Sequence, residues 1–549
     1  MFNHRDVEIQ SIDHLGIIAG IIDSMGLVEI INEIVGQESG EKVSPGHVVK
    51  AMILNGLGFV SSPLYMFPEF FKDKPCEHLI GEGVKAEYLN DDKLGRVMDK
   101  LFIKGLTEVF LAISISVIKE FNISLKSSHL DSTSMHLHGE YSTSLPSGVF
   151  NYSSGIEIKA SQAIEITYGY SRDHRPDLKQ FIIELISSGD GDIPIFLKPE
   201  SGNKSDSSSF AQIFLEYKEH LKKEKAQKQM SDEDLLVADG ALFNAKNINL
   251  LSEVRWLSRV PMTVGLAKEL VSTLLPTDFI NSSLTGYYYC VVKSNYGGVE
   301  QRWLVVESVE RKKSDLRQLE KRISRLKTSS LDKLKKLLNS KFHSYQEAVQ
   351  AVENLNKQLK YHQLDNIEYL ERQLASKKEQ TTFYQVNASF SENINEIKKA
   401  HQRAGRFILA TNVLDEKSLT NDDMISEYKA QQSCERGFRF LKDALFFADS
   451  IFLKSPERIE AMAMIMGLCL LVYTLAQRQI RKALVATKST IKNQLGKSVN
   501  NPTMRWIFQC FQSIHLVKID NRILISNWNS EREYILSLLP DNCRYYYQC

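Results

Sequence analysis

The chain has 549 residues, of which 43% are hydrophobic and 25% are charged, and its formal net charge is +1. This composition is ordinary for a globular protein and excludes a disordered or fibrous chain. A domain commonly holds about 150 residues, so the length predicts several domains. The nearly neutral charge does not by itself indicate a nucleic-acid-binding protein.

The cysteines and the apolar segments predict a protein of the reducing cytoplasm. Seven cysteines are scattered without a C-x-x-C pair, a pattern that fits neither a disulfide framework nor a zinc ribbon. The first residues are charged where an export signal would be apolar. The longest apolar run, Ala461 to Ala476, is shorter than the roughly 20 residues that span a bilayer, so we expect a buried helix and no membrane partner.

The first 125 residues predict an all-α domain. Apolar residues recur at helical spacing in Leu15 to Val35, His47 to Val60 and Thr107 to Phe121. Pro45 and Gly46 are expected to begin the second of these helices, because proline is tolerated in the first turn.

Beyond Ser127 the pattern changes to that of an α/β layer. Short strand-like runs alternate with one helix, in the order Ser128 to Met135, Ala163 to Tyr170, Gln180 to Ile186, a helix over Phe210 to Leu221, Leu235 to Ala238 and Val254 to Val260. Strands, then a helix, then strands again predict a mixed sheet flanked by helices.

Residues 262–400 interrupt this layer and predict an α+β insertion. Strand-like runs at Gly286 to Val292 and Trp303 to Val309 are followed by charged helices. Between Glu310 and His343, twelve Lys or Arg stand against four Asp or Glu. This basic stretch is either a solvated helix face or a face that contacts phosphates, and the sequence favours neither.

The layer is expected to resume with a strand at Arg406 to Thr411 and a helix at about Asp423 to Lys442. After Ala444 the chain is apolar and helical, with Pro502 and Trp506 marking a late turn and helix. The predicted segments are therefore an N-terminal helical domain, two parts of a core, the insertion between them and a C-terminal helical region, at 1–125, 126–261, 401–445, 262–400 and 446–549.

Three carboxylates stand at positions that suit metal-dependent chemistry. Asp131 lies in the first strand-like run and Asp239 directly follows a short apolar strand. For either aspartate alone, a turn-forming role is the simpler interpretation. Glu435 lies in the predicted helix, where the spacing of Tyr428, Gln431, Glu435, Arg439 and Lys442 places them on one helix face. An ion pair between Glu435 and Arg439 would explain that face equally well.

Two aspartates and a glutamate are a sufficient ligand set for two Mg²⁺ ions, which prefer carboxylate oxygens. Two such ions about 3.5 to 4 Å apart can activate the attacking oxygen and neutralise the leaving oxygen of a phosphodiester. Asp131, Asp239 and Glu435 would supply that ligand set.

These residues resemble the DDE transposases of bacterial insertion sequences, in the group with a Tyr-(2)-Arg-(3)-Glu-(6)-Lys signature. Tyr428, Glu435 and Lys442 match that signature, whereas Gln431 replaces its Arg. Arg436 or Arg439 could supply the missing phosphate contact. Further blocks resemble the subgroup with a helical N-terminal domain and cover most of the chain in order: 49–60, His-Leu-Asp-Ser-Thr-Ser at 129–134, 169–177, 202–206 and 438–442.

The resemblance implies an RNase H-like core whose metal ligands are Asp131, Asp239 and Glu435. It implies two Mg²⁺ ions, for which Mn²⁺ can substitute, and a homodimer that brings two transposon ends together on double-stranded DNA. It also places Tyr428 and Lys442 near DNA phosphates and implies cleavage followed by joining to target DNA, commonly through hairpin ends.

Several other residues have two interpretations. Arg172 and Arg175 are candidate DNA contacts, although Asp-His-Arg-Pro-Asp at 173–177 also suits a tight connection between strands. His136 and His138 share one face of the first strand, opposite in parity to Asp131, so hydrogen-bonding or surface roles are favoured over a metal site. Trp256 and Trp303 could hold a flipped base, but a core position is favoured.

Two other functions remain open at this point. The chain could be an immobile descendant of a transposase that only binds DNA, which an intact triad argues against. It could also be an RNase H-like nuclease, because hydrolysis and strand transfer use the same metals. Terminal inverted repeats around the gene would separate a transposase from both.

Overall fold

The computed structural model describes most of the chain, namely residues 7–59, 66–141, 149–151, 157–159, 162–171, 174–204, 206–225, 234–375, 380–443, 453–519 and 522–548. It divides into two compact units. The first unit consists of Met1–Leu257 and Ser426–Cys549, and the second of Ser258–Ile425. The second unit is therefore longer than the insertion predicted at 262–400, and the functional division of the first unit stays a prediction.

The first unit begins with a strand and a set of helices. Their bounds are β1 Val7–Ser11, α1 Leu15–Ser24, α2 Leu27–Val35, α3 Pro45–Gly56, α4 Phe67–Phe71, α5 Cys76–Leu79, α6 Asp91–Lys104 and α7 Leu106–Glu120. Helix α3 begins at Pro45 as predicted, because the side chain of Ser44 accepts a hydrogen bond from the His47 amide and caps the helix.

The α/β layer follows, and its central strands are buried. Its elements are β2 Ser127–Leu137, β3 Val149–Asn151, β4 Glu157–Lys159, β5 Lys179–Ser188, β6 Pro194–Ser201, α8 Asp206–Lys225, β7 Leu235–Ala238, α9 Ala245–Leu250 and β8 Trp256–Arg259. The sheet order is β6-β5-β2-β7-β8. Strand β5 is antiparallel to both of its neighbours, β6 and β2, whereas β2 and β7 are parallel.

The second unit contains the remaining strands of the core and the charged helices. Its elements are α10 Gly265–Thr273, β9 Ile280–Asn281, β10 Tyr287–Tyr296, β11 Val299–Ser308, α11 Val309–Asn339, α12 Tyr345–Gln358, β12 His362–Ala375, β13 Gln380–Glu392, α13 Ile394–Arg403, β14 Arg406–Thr411 and the first half of α14 Asn421–Ala430. Strands β14, β11, β10 and β9 form an antiparallel sheet in that order. A separate hairpin, β12 with β13, shares an apolar cluster with α11 and α12.

The C-terminal part of the first unit is mostly helical. It comprises α15 Gln432–Leu441, α16 Pro456–Ala486, β15 Ile491–Lys492, β16 Ser498–Val499, α17 Met504–Cys510, β17 His515–Ile519, β18 Arg522–Ile525, α18 Ser530–Ser537 and α19 Asp541–Tyr545. The predicted mixed sheet with helical N- and C-terminal regions is thus confirmed. Strand β1 pairs with β17 in a three-stranded sheet that the sequence pattern did not predict.

Helix α16 is the buried helix that the apolar run predicted, and it is longer than that run. By length and composition it could cross a membrane, but 89% of its most apolar window is buried inside the protein. It packs against α3, α6, α7 and β6. A Cβ atom at Gly467 would lie 2.4 Å from Leu197 Cδ1, so glycine allows this close approach of α16 to β6.

The sequence prediction failed for two parts of the layer. Residues 163–170, predicted as a strand, contribute only an isolated bridge between Thr167 and Gln180. Strand β6 was not predicted, because Pro194 and Pro199 within it are unfavourable for strands. The β12–β13 hairpin was also missed, since the whole stretch after Val309 was interpreted as charged helices.

Glu460 on α16 makes stability depend on pH. Burial raises the pKa of this carboxyl to about 8, although its Oε1 accepts a hydrogen bond of 2.6 Å from the Ile164 amide. A folded-state pKa above the unfolded value means that the folded chain holds the proton more tightly. The stabilisation is therefore complete below about pH 4.5 and is lost as the pH rises through about 8.

We expect Glu460→Gln to flatten this dependence, because glutamine keeps the acceptor oxygen and cannot ionise. Between pH 5 and pH 9 the unfolding free energy of the unchanged protein should fall more steeply than that of the variant, by roughly 1 kcal/mol or more overall. Urea titrations at several pH values measure this difference. Parallel pH profiles for the two proteins would show that Glu460 does not retain its proton in the folded state.

Candidate active site

Asp131 lies in β2, and Asp239 directly follows β7, the strand that is parallel to β2. The register of β2 and β7 pairs Leu130 with Ala238, and each aspartate is the next residue along its strand direction. Residues in register on parallel strands direct their side chains to the same face, and adjacent strands lie about 5 Å apart. The fold thus brings together two carboxylates that are more than 100 residues apart in sequence.

Both aspartates are oriented by backbone hydrogen bonds. Asp131 Oδ1 accepts a bond of 2.8 Å from the Ser132 amide, and Asp239 Oδ1 accepts a bond of 2.8 Å from the Ala241 amide. The second is an Asx turn, so the turn-forming interpretation holds for Asp239. Each of these bonds uses one carboxylate oxygen and fixes the direction of the group. Asp131 is buried, with 8% of its surface exposed, whereas Asp239 is half-buried.

Glu435 is held beside the same strand by the apolar face of α15. The thiol of Cys434 donates a hydrogen bond of 3.2 Å to the carbonyl of His129, two residues before Asp131 on β2. Gly437 permits close packing against both α16 and β5, since an added Cβ would lie 3.1 Å from Leu470 Cδ2 and 3.7 Å from Leu185 Cδ2. Glu435 itself is exposed on the other side of this helix.

The helix predicted from Asp423 to Lys442 is present as two consecutive helices that meet at Gln431. Helix α14 ends at Ala430 and α15 begins at Gln432, with the buried Gln431 between them. Tyr428 therefore belongs to α14, whereas Glu435 and Arg439 belong to α15. Gln431 keeps helical backbone angles (φ −55°, ψ −22°), so the shared helix face of the five signature residues stays a prediction across this junction.

The simple ion-pair explanation for Glu435 also fails. Within the described residues Glu435 and Arg439 make no ion pair with each other, and both are exposed. Arg436 instead donates a hydrogen bond of 2.8 Å to Asp192 Oδ2. Lys442 ends α15 and is exposed. The helix thus presents an acid and a base to solvent that do not neutralise one another.

The three carboxylates are not drawn into one tight cluster. In the part of the chain that the structure describes, no group of three or more His, Cys, Asp or Glu side chains could hold a metal ion. Asp131 and Asp239 each follow the last residue that pairs between the neighbouring strands β2 and β7, and Glu435 lies on α15, which packs on β2. The donor type fits Mg²⁺, which prefers carboxylate oxygens, and the flexible Glu435 side chain is the member that would have to move.

His129 is a neighbour of the site that the sequence did not single out. It is fully buried, and burial lowers the pKa of its ring to about 4, so the ring is neutral. Its Nε2 lies 3.7 Å from Glu427 Oε2, which is not an ion pair for a neutral ring. The sequence offered one signal for His129. Alternate residues of a strand share a face, so residues 129 and 131 of β2 lie on the same side of the sheet.

The remaining candidates have local partners or lie outside the described residues. Arg172 lies outside the described residues. Arg175 forms an ion pair of 2.8 Å with Asp177, which supports the tight-connection interpretation without excluding DNA contact. His136 Nε2 is 2.9 Å from Ser171 Oγ, the hydrogen-bonding role that was favoured. Trp256 and Trp303 are fully buried, so the core interpretation is confirmed for both.

Comparison with protein families identifies the chain. A family described as "Transposase DDE domain" matches residues 129–473, more than half of the sequence, and "Domain of unknown function (DUF4277)" matches residues 7–115. The chain belongs to the DDE transposase family. It is therefore an enzyme of DNA transposition, and the resemblance inferred from the carboxylate motif is confirmed at that level.

Solved structures and curated proteins add little to this identification. The chain is similar to a structure described as a piggyBac transposase synaptic complex with hairpin DNA, with 8% identity, a TM-score of 0.37, and coverage of 97% of this chain and 88% of that chain. The likeness is too distant to carry an argument about the site. No curated protein matches the chain.

The packing of α15 generates a prediction at Gly437. Gly437→Ala should be tolerated, because one methyl group needs a shift of only a few tenths of an ångström from Leu470 and alanine favours helices by about 1 kcal/mol. Gly437→Val should displace α15 and with it Glu435, lowering DNA cleavage by about tenfold or more.

Cleavage rates and melting temperatures of both variants test this prediction. A valine variant that cleaves DNA as fast as the alanine variant would show that the position of α15 on the sheet is not set at Gly437.

Proposed function

We propose that the chain is a cut-and-paste transposase whose metal-binding triad is Asp131, Asp239 and Glu435. The observation that carries the proposal is the register of β2 and β7, which places two aspartates from distant parts of the sequence at neighbouring strand positions. The packing of α15 on β2 through Cys434 adds Glu435 beside the same strand.

The sheet of the first unit supports an RNase H-like core. In chain order its strands β2, β5, β6, β7 and β8 are arranged with the first strand at the centre, between the second and the fourth. This order makes β2 and β7 direct neighbours and so places Asp131 close to Asp239. Helices α7, α8, α15 and α16 pack against these strands, as a mixed sheet with both faces covered requires.

The proposed cofactor is a pair of Mg²⁺ ions, replaceable by Mn²⁺. When bound, such a pair activates the attacking water or 3′-hydroxyl and neutralises the leaving oxygen. Asp131 and Asp239 would supply fixed carboxylates, because backbone hydrogen bonds orient both groups. Glu435 would supply the adjustable ligand, since it is exposed and carries no intramolecular ion pair among the described residues.

The proposed DNA contacts near the triad differ in whether an ion pair within the protein must break before the side chain can bind a phosphate. Arg439 is exposed and makes no ion pair with a described residue, so a phosphate could bind it directly. Arg436 would first have to release Asp192. Tyr428 and Lys442 complete the signature, and Arg175 would have to release Asp177. Double-stranded transposon ends and target DNA are the proposed partners, with two protein copies in a synaptic complex.

Glu435→Gln, Asp131→Asn and Asp239→Asn should each abolish cleavage while DNA binding persists. Loss of one metal ligand removes transition-state charge stabilisation, so we expect cleavage to fall by at least about a hundredfold. The assay uses labelled duplex that carries the gene's flanking DNA, with and without Mg²⁺. Glu253→Gln is the matched control, because Glu253 is exposed and lies in the same unit.

The outcomes of that assay separate the three functions. Mg²⁺-dependent cleavage at the element boundary and joining to target DNA support the transposase, and a covalently closed transposon end would establish the hairpin route. Cleavage without joining would indicate a nuclease. Salt-sensitive binding without cleavage by the unchanged protein would indicate an immobile DNA-binding descendant. Full activity of Glu435→Gln would remove Glu435 from the proposed triad.

Arg439→Gln should weaken DNA binding and reduce its salt dependence. Each phosphate neutralised by a cation contributes about 0.9 to the slope of log K against log salt concentration, so the slope should become shallower by about one. Arg439→Lys keeps the charge and should keep the slope. Fluorescence anisotropy across a salt series measures both, and equal slopes for Arg439→Gln and the unchanged protein would exclude this phosphate contact.

A further inference from the structure

The second unit contains a basic cleft that is independent of the carboxylates. It has a volume of about 680 Å³ and lies between the first half of α11, helix α13 and the residues just before β12. We call this the α11–α13 cleft. Five of its lining side chains are cationic, namely Lys321, Arg322, Arg325, Lys360 and Arg403.

The two acidic residues of the α11–α13 cleft are already engaged by other groups. Asp315 Oδ2 accepts a hydrogen bond of 2.9 Å from the Gly405 amide and lies 3.6 Å from Arg311 Nε. Glu396 Oε1 accepts a hydrogen bond of 2.7 Å from Lys399 Nζ. Asp315 therefore has partners other than the five cations, whereas Glu396 also interacts electrostatically with Arg403 and Lys360. The excess positive charge of the cleft is thus concentrated on α11.

Three of the cations have side chains without a partner among the described residues. Lys321, Arg322 and Arg325 are exposed, and none of their side chains makes a hydrogen bond or an ion pair with a residue that the structure describes. Like charges crowded on one helix destabilise it slightly, and an external polyanion would remove that repulsion. The cleft thus presents concentrated positive charge for a ligand.

A second copy of the chain fits this surface less well. Leu316, Leu319, Ile323 and Leu326 recur on α11 at a spacing of three and four residues, the pattern of a short coiled coil. Only partly buried, they could in principle pair with the same helix of another copy. The cations beside the stripe would then face one another, and such like-charge contacts disfavour pairing.

We propose that the α11–α13 cleft binds the phosphate backbone of double-stranded DNA. Along a helix the rise is about 1.5 Å per residue, so Lys321 and Arg325 stand about 6 Å apart along the axis, close to two steps of about 3.4 Å on one DNA strand. The proposal rests on the proposed function, because it assumes a DNA substrate. It assigns part of the binding to the second unit, whereas the triad belongs to the first.

Arg322→Gln combined with Arg325→Gln tests the cleft in the full-length protein. The matched control is Lys327→Gln with Lys335→Gln, which removes the same charge from exposed positions of α11 that do not line the cleft. The probe is the flanking-DNA duplex without Mg²⁺, measured by fluorescence anisotropy. We expect the cleft variant to bind about tenfold more weakly at low salt, with a salt slope shallower by about two, and the control to change little.

A second variant distinguishes an electrostatic role from a structural one. Arg322→Lys with Arg325→Lys keeps both charges and should keep most of the affinity and the full salt slope. Equal weakening by the cleft and control variants, unchanged binding by the cleft variant, or loss of binding in the lysine variant would each overturn the proposal. Mg²⁺-dependent cleavage that Glu435→Gln abolishes would still support the proposed function in each of those cases.

Discussion

The parallel pairing of β2 with β7 is the constraint on which the site depends. Strand β7 has only four residues, all of them buried, and its ladder with β2 ends where the two aspartates begin. A slip of one residue in this register would send one carboxylate to the opposite face of the sheet. The apolar residues that fix the register, such as Leu130 and Val237, therefore determine the chemistry as much as the acids do.

Helix packing provides the third carboxylate by a different route. The buried residues of helix α15 are Cys434, Gly437, Phe438 and Leu441, and the helix packs against β2, β5 and α16. Glu435 is thus positioned by its neighbours in sequence and not by contacts of its own. This arrangement leaves the glutamate adjustable beside two aspartates that backbone amides hold in place.

The sequence predicted the buried, regular elements well and the irregular ones poorly. Strands β7 and β14 were located to the residue, because short apolar runs between polar turns have few alternatives. The helix predicted over 423–442 is found as two helices, because a single turn residue, Gln431, leaves the apolar periodicity of the sequence unchanged. For the site, motif spacing identified the acids, but only the strand register shows that Asp131 and Asp239 are neighbours. Tertiary pairing of this kind leaves no local signal.

The N-terminal helices depend on residues that are synthesised much later. Gly20 lies so close to Cys543 that an added Cβ would be 2.4 Å from its Cα, and Lys50 donates a hydrogen bond of 2.9 Å to the hydroxyl of Tyr546. Tyr546 also bonds Asp23, 523 positions earlier in the chain. At about 5 to 20 residues per second, a ribosome needs roughly half a minute to two minutes to cover that distance. During this interval the apolar surface of α1 lacks its partner, so a prematurely terminated chain would expose it to chaperones and proteases, and only completed translation would yield the closed helical region.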